Sequence, residues 1–313
     1  VKMVSIPTRR MNITRSAKNA KRVSKNSNSI TKTRMTSMAG LETSPTITEV
    51  PIVNLENYNH KMHLGMKDKL YFTKVIKDAK VFFDFGCADG SMIYYLSEIY
   101  PDAKFFGFDA NADMIEDAMG MELPNAVFSS DWEFILEQCI EAMDDDHKCC
   151  LILSSVIHEI NTYLKNDDRA RFWEFALRTG FHYIAIRDMC ITQRAAHAVM
   201  PIVARDDVRK LWEYGDPQML DDFTKYWGGL FSGIHFYHFL LKYHYRENWE
   251  RELKENYITV LEDIMEITDI KRYNTIWMKH YQLDYIKDKI KEELGIEIKE
   301  NTHLQLILER SDL

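Results

Sequence analysis

The sequence predicts an α/β fold: a doubly wound, mostly parallel sheet with helices on both faces, plus a mostly helical insertion. Three observations predict it. Short apolar runs alternate with helix-period segments from residue 81 to residue 187, the texture of successive βαβ units. The first apolar run ends in an acid and a glycine-bracketed turn before a helix begins. After an aromatic, charged stretch, the C-terminus returns to strand and helix texture, which suits an antiparallel last strand.

The elements follow in order. Asp68 is placed to cap a helix running to about Lys77, with Leu70, Tyr71, Val75 and Ile76 on its apolar side. Val81–Asp84 is the first strand, and residues 91–99 are its helix, broken by Pro101 and Asp102. Lys104–Asp109 is the second strand, followed by a helix over 112–120. Pro124 and Asn125 turn into a short third strand, Ala126–Ser129. Trp132, Ile135, Leu136, Cys139 and Ile140 recur at helical spacing from Asp131 to Met143. Cys149–Ser154 is the fourth strand, then helical stretches cover Val156–Leu164 and 167–178. Gly180 stops the second of these, and His182–Arg187 is the fifth strand. Thr275–His280 suits a strand, Tyr285–Leu294 is an amphipathic helix ended by Gly295, and His303–Leu308 suits a final strand. Right-handed crossovers place the C-terminal ends of the parallel strands on one edge, where ligands bind in such sheets.

Charge and composition divide the chain. Residues 1–41 contain ten Lys or Arg and no acid, which leaves a net −18 on the rest of a chain whose total is −8. Residues 1–48 lack a helical or strand period and read as a disordered basic arm: a solvated tail, a contact for a polyanion, or an organelle transit peptide, against which the many Lys and Asn weigh. The expected organisation is that arm, a core over 49–189, a helical insertion over 190–270, and a C-terminal helix and strand over 271–313 that complete the core. No apolar run reaches the roughly 18 residues that span a bilayer, and no secretory signal is visible, so no membrane contact is expected. Cys87, Cys139, Cys149, Cys150 and Cys190 form no Cys-x-x-Cys pair. They read as reduced thiols of an intracellular, cytoplasmic protein.

The turn Asp84-Phe85-Gly86-Cys87-Ala88-Asp89-Gly90 is not the dinucleotide Gly-x-Gly-x-x-Gly. It resembles the nucleoside-binding turn of class I, Rossmann-like S-adenosylmethionine-dependent methyltransferases, with Ala88 where the middle glycine is usual. Asp109, nineteen residues after Gly90, stands where a carboxylate can accept from two vicinal ribose hydroxyls. The resemblance runs over roughly residues 68–190. It implies S-adenosylmethionine as cofactor, with Asp84, Gly86, Gly90 and the backbone of Cys87 and Ala88 near its methionine part. It also implies Asp109 on the ribose, and Ala110 and Asn111 under the adenosine. Ser130-Asp131-Trp132 occupies the place of an adenine contact, and Asp131 is equally a helix N-cap. Ser154 ends the fourth strand at the same edge.

Candidate catalytic residues follow that strand. His158 could orient or deprotonate a nucleophile, and Glu159 could do the same or hold His158. Both also fit an ordinary first turn of a helix. Arg187 and Asp188 end the fifth strand as either a substrate contact or an ion pair. His235 and His238 have metal-ligand spacing but no third ligand, so no metal is expected. The segment His235–Trp249 interleaves aromatics with Lys242 and Arg246. It reads as a base-stacking surface or as the core of the helical insertion. The expected function is methyl transfer to a nucleophilic acceptor, with RNA the leading candidate and a small molecule or protein as alternatives. A methyltransferase-like binding module without chemistry is the other class, and the missing third glycine weighs against a nicotinamide enzyme.

Overall fold

The computed structural model describes residues 65–144, 146–198, 202–257, 259–269 and 272–311. The basic arm and the segment that follows it to residue 64 lie outside the described residues. Seven strands are formed: β1 (Val81–Phe85), β2 (Lys104–Phe108), β3 (Ala126–Ser129), β4 (Cys149–Ser154), β5 (Tyr183–Met189), β6 (Tyr273–Tyr281) and β7 (His303–Arg310). They make one sheet in the order β3-β2-β1-β4-β5-β7-β6. The first five are mutually parallel. β7 runs antiparallel between β5 and β6, in line with the expected reversed C-terminal strand.

Thirteen helices are described: α1 (Met66–Lys69), α2 (Ser91–Ile99), α3 (Ala112–Met119), α4 (Trp132–Ala142), α5 (Ile157–Tyr163), α6 (Asn166–Arg178), α7 (Gln193–Ala196), α8 (Ile202–Tyr214), α9 (Pro217–Tyr226), α10 (Gly233–Tyr243), α11 (Trp249–Glu252), α12 (Leu261–Thr268) and α13 (Asp284–Leu294). Strand side chains alternate between the two faces of the sheet. Val81 and Phe83, Leu151 and Leu153, and Ile184 and Ile186 pack under α4, α5, α6 and α12. Phe82, Phe105, Cys150, Ile152 and Ala185 face α2, α3 and the N-terminal segment from Met66 to Ile76. Helices on both faces explain why these strands read as unbroken apolar runs. Full burial of a side chain such as Phe82 or Phe83 contributes about 1.5–3 kcal/mol.

A third core joins α7 to α11 with α13, Ile296 and Ile298. Ile191 and Val260 form a parallel bridge, with Ile191 N–H donating to Thr259 O at 2.9 Å and Leu261 N–H to Ile191 O at 2.8 Å. This bridge clasps the entry and exit of the inserted helices beside the C-terminal end of β5. The insertion therefore overhangs the edge where β1, β2, β4 and β5 end.

Two local expectations change. The helix expected over 68–77 is a single turn, α1, followed by a 3-10 turn over Leu70–Lys74. Asp68 lies inside α1, and its carboxylate is taken up by distant side chains. β5 runs two residues beyond Arg187 because β7 pairs with it up to Met189↔His303. Arg187 and Asp188 are thus strand residues on opposite faces of the sheet.

Candidate active site

The turn after β1 is built from the backbone. Gly86 and Gly90 have φ +80° and +77°, and a Cβ on Gly86 would stand 3.0 Å from Val156 Cγ2. Ala88 also adopts a left-handed conformation, φ +48°, so the alanine in place of the usual glycine keeps that backbone at some strain. Phe108 O accepts from Gly86 N–H at 2.8 Å and Cys87 N–H at 2.9 Å. Asp109 Oδ2 accepts from Ala88 N–H at 2.9 Å, and its Oδ1 from Asn111 N–H at 2.8 Å. The acid ending β2 is therefore tied directly to the turn ending β1. Burial pushes the Asp109 carboxyl up, and the two N–H groups act against that rise. Asn111 caps α3 through its side chain.

Asp84 is 1% exposed, and neither of its carboxylate oxygens has a hydrogen-bond partner among the described residues. Burial raises its pKa to about 7; the Lys69 ammonium pulls it down and Asp109 adds to the rise. An unpartnered buried carboxylate is costly, so burial favours the protonated form of Asp84, and a cation bound over the turn would favour the ionised one. Lys69 itself is lowered to about 8, by burial first and then by Arg187.

Across the pocket, β5 and α5 form a second constellation. Asp188 Oδ1 lies 2.9 Å from His158 Nδ1, and its Oδ2 accepts from Ile157 N–H at 2.7 Å and His158 N–H at 3.3 Å. One carboxylate thus caps α5 and fixes the imidazole. Burial alone would lower His158, but Asp188, with Glu159 and Glu255 behind it, raises it to about 9. Asp188 is held low by that same cation against the opposing effect of burial. The surrounding carboxylates therefore favour the protonated form of His158. Arg187 resolves as an ion pair: its Nε donates to Asp68 Oδ2 at 2.9 Å and its Nη1 to Ser155 Oγ at 2.8 Å. Tyr281 Oη and Gln305 Nε2 complete the shell of Asp68 at 2.6 and 2.9 Å.

A pocket of about 1020 Å³, open solvent included, joins the two constellations. Gly86, Ala88, Asp109 and Asn111 line one end, and Ser154, His158, Glu159 and Arg187 the middle. The far wall comes from Tyr245, within the segment read as a stacking surface or core, and from residues with no role assigned in the sequence: Arg251, Glu255 and Tyr257 from the insertion, with Tyr285 and His303 beyond it. Arg251 Nε donates to Glu255 Oε1 at 2.7 Å and its Nη2 to Glu159 Oε1 at 3.3 Å. Glu255 Oε2 stands 4.0 Å from His158 Nε2. Glu159 is pushed up to about 7, by burial first, with Glu255 and Asp109 adding to the rise and Arg251 and His158 opposing it. The only signal in the sequence was the i, i+4 spacing of Arg251 and Glu255, which usually marks a solvated helix pair.

Several candidates stand outside the pocket lining. Asp84 and Cys87 are buried beneath the turn. Ala110 packs on the core, as does Trp132 between Phe83, Phe85, Phe108 and Phe175. Asp131 caps α4, accepting from Phe134 N–H at 3.1 Å, and Asp188 acts through His158. In the segment 235–249, Phe236, His238, Phe239, Tyr243 and Lys242 are buried. Lys242 donates to the carbonyls of Glu252 and Glu255 and sits 4.5 Å from the Tyr257 ring centroid. That segment is the core of the insertion, and these side chains offer no open stacking surface. Among the described residues no cluster of three or more His, Cys, Asp or Glu is placed to hold a metal, and no helix is long and apolar enough to cross a membrane.

No family model matches the sequence, and no curated protein matches it. Among solved structures, the chain is similar to a plantazolicin methyltransferase, BamL, determined with a triazolic desmethylPZN analog and SAH. The identity is 13%, covering 80% of this chain and 84% of that one, with a TM-score of 0.43. It is also similar to a SAM-dependent methyltransferase from Archaeoglobus fulgidus, at 13% identity over 79% and 93% of the two chains, TM-score 0.42. A third likeness is PKMT2 from Rickettsia typhi, at 11% identity and TM-score 0.42, covering 75% of this chain and 49% of that one. These are distant likenesses, and the fold assignment stands on this chain's own strand order and register. The parallel β1–β5 set, the reversed β7 and the turn after β1 give it a Rossmann-like, doubly wound sheet with an antiparallel C-terminal strand.

Proposed function

We propose that the protein is an S-adenosylmethionine-dependent methyltransferase whose acceptor binds in the pocket between the sheet edge and the inserted helices. The observation that carries this reading is the pair of acids at adjacent strand ends. Asp109 is fixed by Ala88 N–H and Asn111 N–H at 2.9 and 2.8 Å, and each of its oxygens keeps a lone pair for a ribose hydroxyl. Asp84, buried and without a hydrogen-bond partner among the described residues, is a carboxyl group beneath the turn that a nearby α-ammonium group would hold in its ionised form. The backbone of Gly86 and Ala88 allows close approach beside the start of α2. When bound, the cofactor supplies a methyl group on a sulfonium, and the chain's part is largely orientation, worth up to about 7–11 kcal/mol of a barrier.

The acceptor end is a walled pocket of side chains. This favours a small acceptor over an extended nucleic acid, and any RNA contact would fall to the basic arm. Calorimetry with S-adenosylhomocysteine tests the first claim: binding to the wild type and its loss in Asp109→Ala are expected. No heat at millimolar ligand would end the methyltransferase reading. A tritiated-methyl transfer assay against metabolite, RNA and protein fractions tests the second, with label expected in the metabolite fraction. Label confined to RNA would overturn the small-acceptor reading.

A further inference from the structure

We propose that the acceptor is a small aromatic hydroxyl compound and that Glu159, poised by Arg251 from the insertion, takes its proton; this rests on the methyl-transfer reading above. Four observations carry it. Glu159 faces the pocket with its side chain 29% exposed. Its Oε1 is engaged by Arg251 Nη2 at 3.3 Å, and among the described residues no hydrogen bond reaches its Oε2. His158, the neighbouring alternative, has its Nδ1 held by Asp188 at 2.9 Å, a carboxylate that favours its protonated form. The pocket wall beside these groups is aromatic, formed by Tyr245, Tyr257 and Tyr285, with Tyr257 edge-on to His158 at 5.1 Å between ring centroids.

These features select among nucleophiles. Flat rings favour a planar aromatic acceptor. His158 and Arg251 stabilise the negative charge that develops on a phenolic oxygen losing its proton. The same two cations disfavour an acceptor that arrives as an ammonium ion. A carboxylic acid would arrive already ionised and would need no base. The charged groups around Glu159 are Arg251 and Glu255 from the insertion, His158 on its own helix, Asp109 from β2, and Asp188 from β5 behind His158. Of the acids lining the pocket, Asp109 is committed to the turn after β1 and, in the reading above, to the ribose hydroxyls. Glu255 has Oε1 held by Arg251 and by Tyr163 Oη at 3.0 Å, and its Oε2 facing His158. Glu159 Oε2 is left to accept. In the reaction the hydroxyl proton passes to Glu159 Oε2, and the freed oxygen lone pair forms the bond to the methyl carbon. The old methyl–sulfur bonding pair stays on sulfur, giving a methyl ether and a neutral thioether.

The test has three measurements on the full chain. S-adenosylhomocysteine binding is measured first, in wild type and Glu159→Gln, and is expected to be equal. Its absence in wild type would sink the methyltransferase reading itself. With that ligand bound, catechol and benzylamine are then compared by calorimetry, catechol being expected to bind about tenfold or more tighter. Tighter benzylamine, or no catechol binding at millimolar concentration, overturns the acceptor class. Finally, methyl transfer to catechol is followed against pH. The wild type should lose kcat as pH falls through neutrality. Glu159→Gln should lose that limb, with kcat reduced about 10²–10⁴-fold at unchanged KM. Retention of the limb in Glu159→Gln, or catechol binding without transfer, overturns the role given to Glu159. Should Glu159→Gln fail to bind the cofactor product, Glu159→Asp takes its place: a lowered kcat with the limb kept is expected, and a flat profile overturns the assignment.

Discussion

The two ends of the pocket are built by opposite means. At the cofactor end, backbone of neighbouring parallel strands does the positioning. Asp109 is held by Ala88 and Asn111 N–H groups, and the turn rests on Phe108 O. At the acceptor end, side chains hold side chains over long stretches of sequence. Asp188 fixes His158 from thirty residues away, and Arg251 reaches Glu159 across ninety-two. A backbone-built site tolerates exchange of its side chains, whereas a side-chain network of buried charges depends on every member. The contrast predicts that point substitutions damage mainly the fold at the end proposed for the acceptor and mainly binding at the end proposed for the cofactor.

The largest effect is expected at Asp188. Asp188→Ala removes the partner of a buried imidazolium and three backbone N–H acceptor contacts at once. A loss of about 3–5 kcal/mol of stability is expected, read as a lower urea midpoint. A variant as stable as wild type would mean that the network is not cooperative. Asp109→Ala sharpens the other side. It should lower the urea midpoint much less than Asp188→Ala, since two backbone N–H groups lose their acceptor but no buried cation loses its partner, while weakening S-adenosylhomocysteine binding about 100-fold, the value of one or two hydrogen bonds to a charged group. An equal loss of stability in both variants would erase the distinction.

The acceptor end should also show a pH signature. His158 is raised from 6.5 to about 9 in the folded chain, so its contribution is full below pH 6.5 and is lost as pH rises through about 9. Asp188 is held below its ordinary 3.8, so its contribution is present above that value and is lost on acidification through the folded pKa. The pair is therefore at full strength between about pH 4 and 6.5. The difference in unfolding free energy between wild type and His158→Asn should shrink from about pH 6.5 to 9. A difference that stays constant over that range would show His158 to be neutral.

The same contrast explains what the sequence disclosed. Phe82, Phe83, Gly86 and Gly90 sit within a few residues of one another, and their pattern carries the local geometry. Asp109 was legible because one βαβ unit fixes its distance from the turn. His158, Arg187 and Asp188 were visible as strand-end and helix-start residues, but their pairings were not. Nothing in the chain order says that Arg187 meets Asp68 of α1, or that β7 inserts beside β5. Tyr257, Glu255 and Arg251 come from a stretch whose composition equally suits a helical core, and Lys242 and Phe239 do form one. Trp132 read as a base contact because it follows Asp131 at the strand edge. Its ring has better partners in Phe83, Phe85 and Phe175.

Asp131 gives the smallest and most discriminating effect, because two roles for one carboxylate predict different losses. Its Oδ1 accepts from Phe134 N–H at 3.1 Å at the start of α4, and removing such a cap costs about 1 kcal/mol. Asp131→Ala should therefore lower the urea midpoint slightly, and Asp131→Asn, which keeps an acceptor oxygen, should restore it. If the cap is its whole role, S-adenosylhomocysteine affinity stays at the wild-type value in both variants. If the second carboxylate oxygen also meets an adenine amino group, affinity drops in Asp131→Ala even after the loss of stability is compensated by lower temperature. The side chain is exposed and outside the pocket lining, and the cap alone accounts for its geometry. The expected outcome is a stability change without a binding change, which would confine the cofactor's recognition to the backbone-held turn and Asp109.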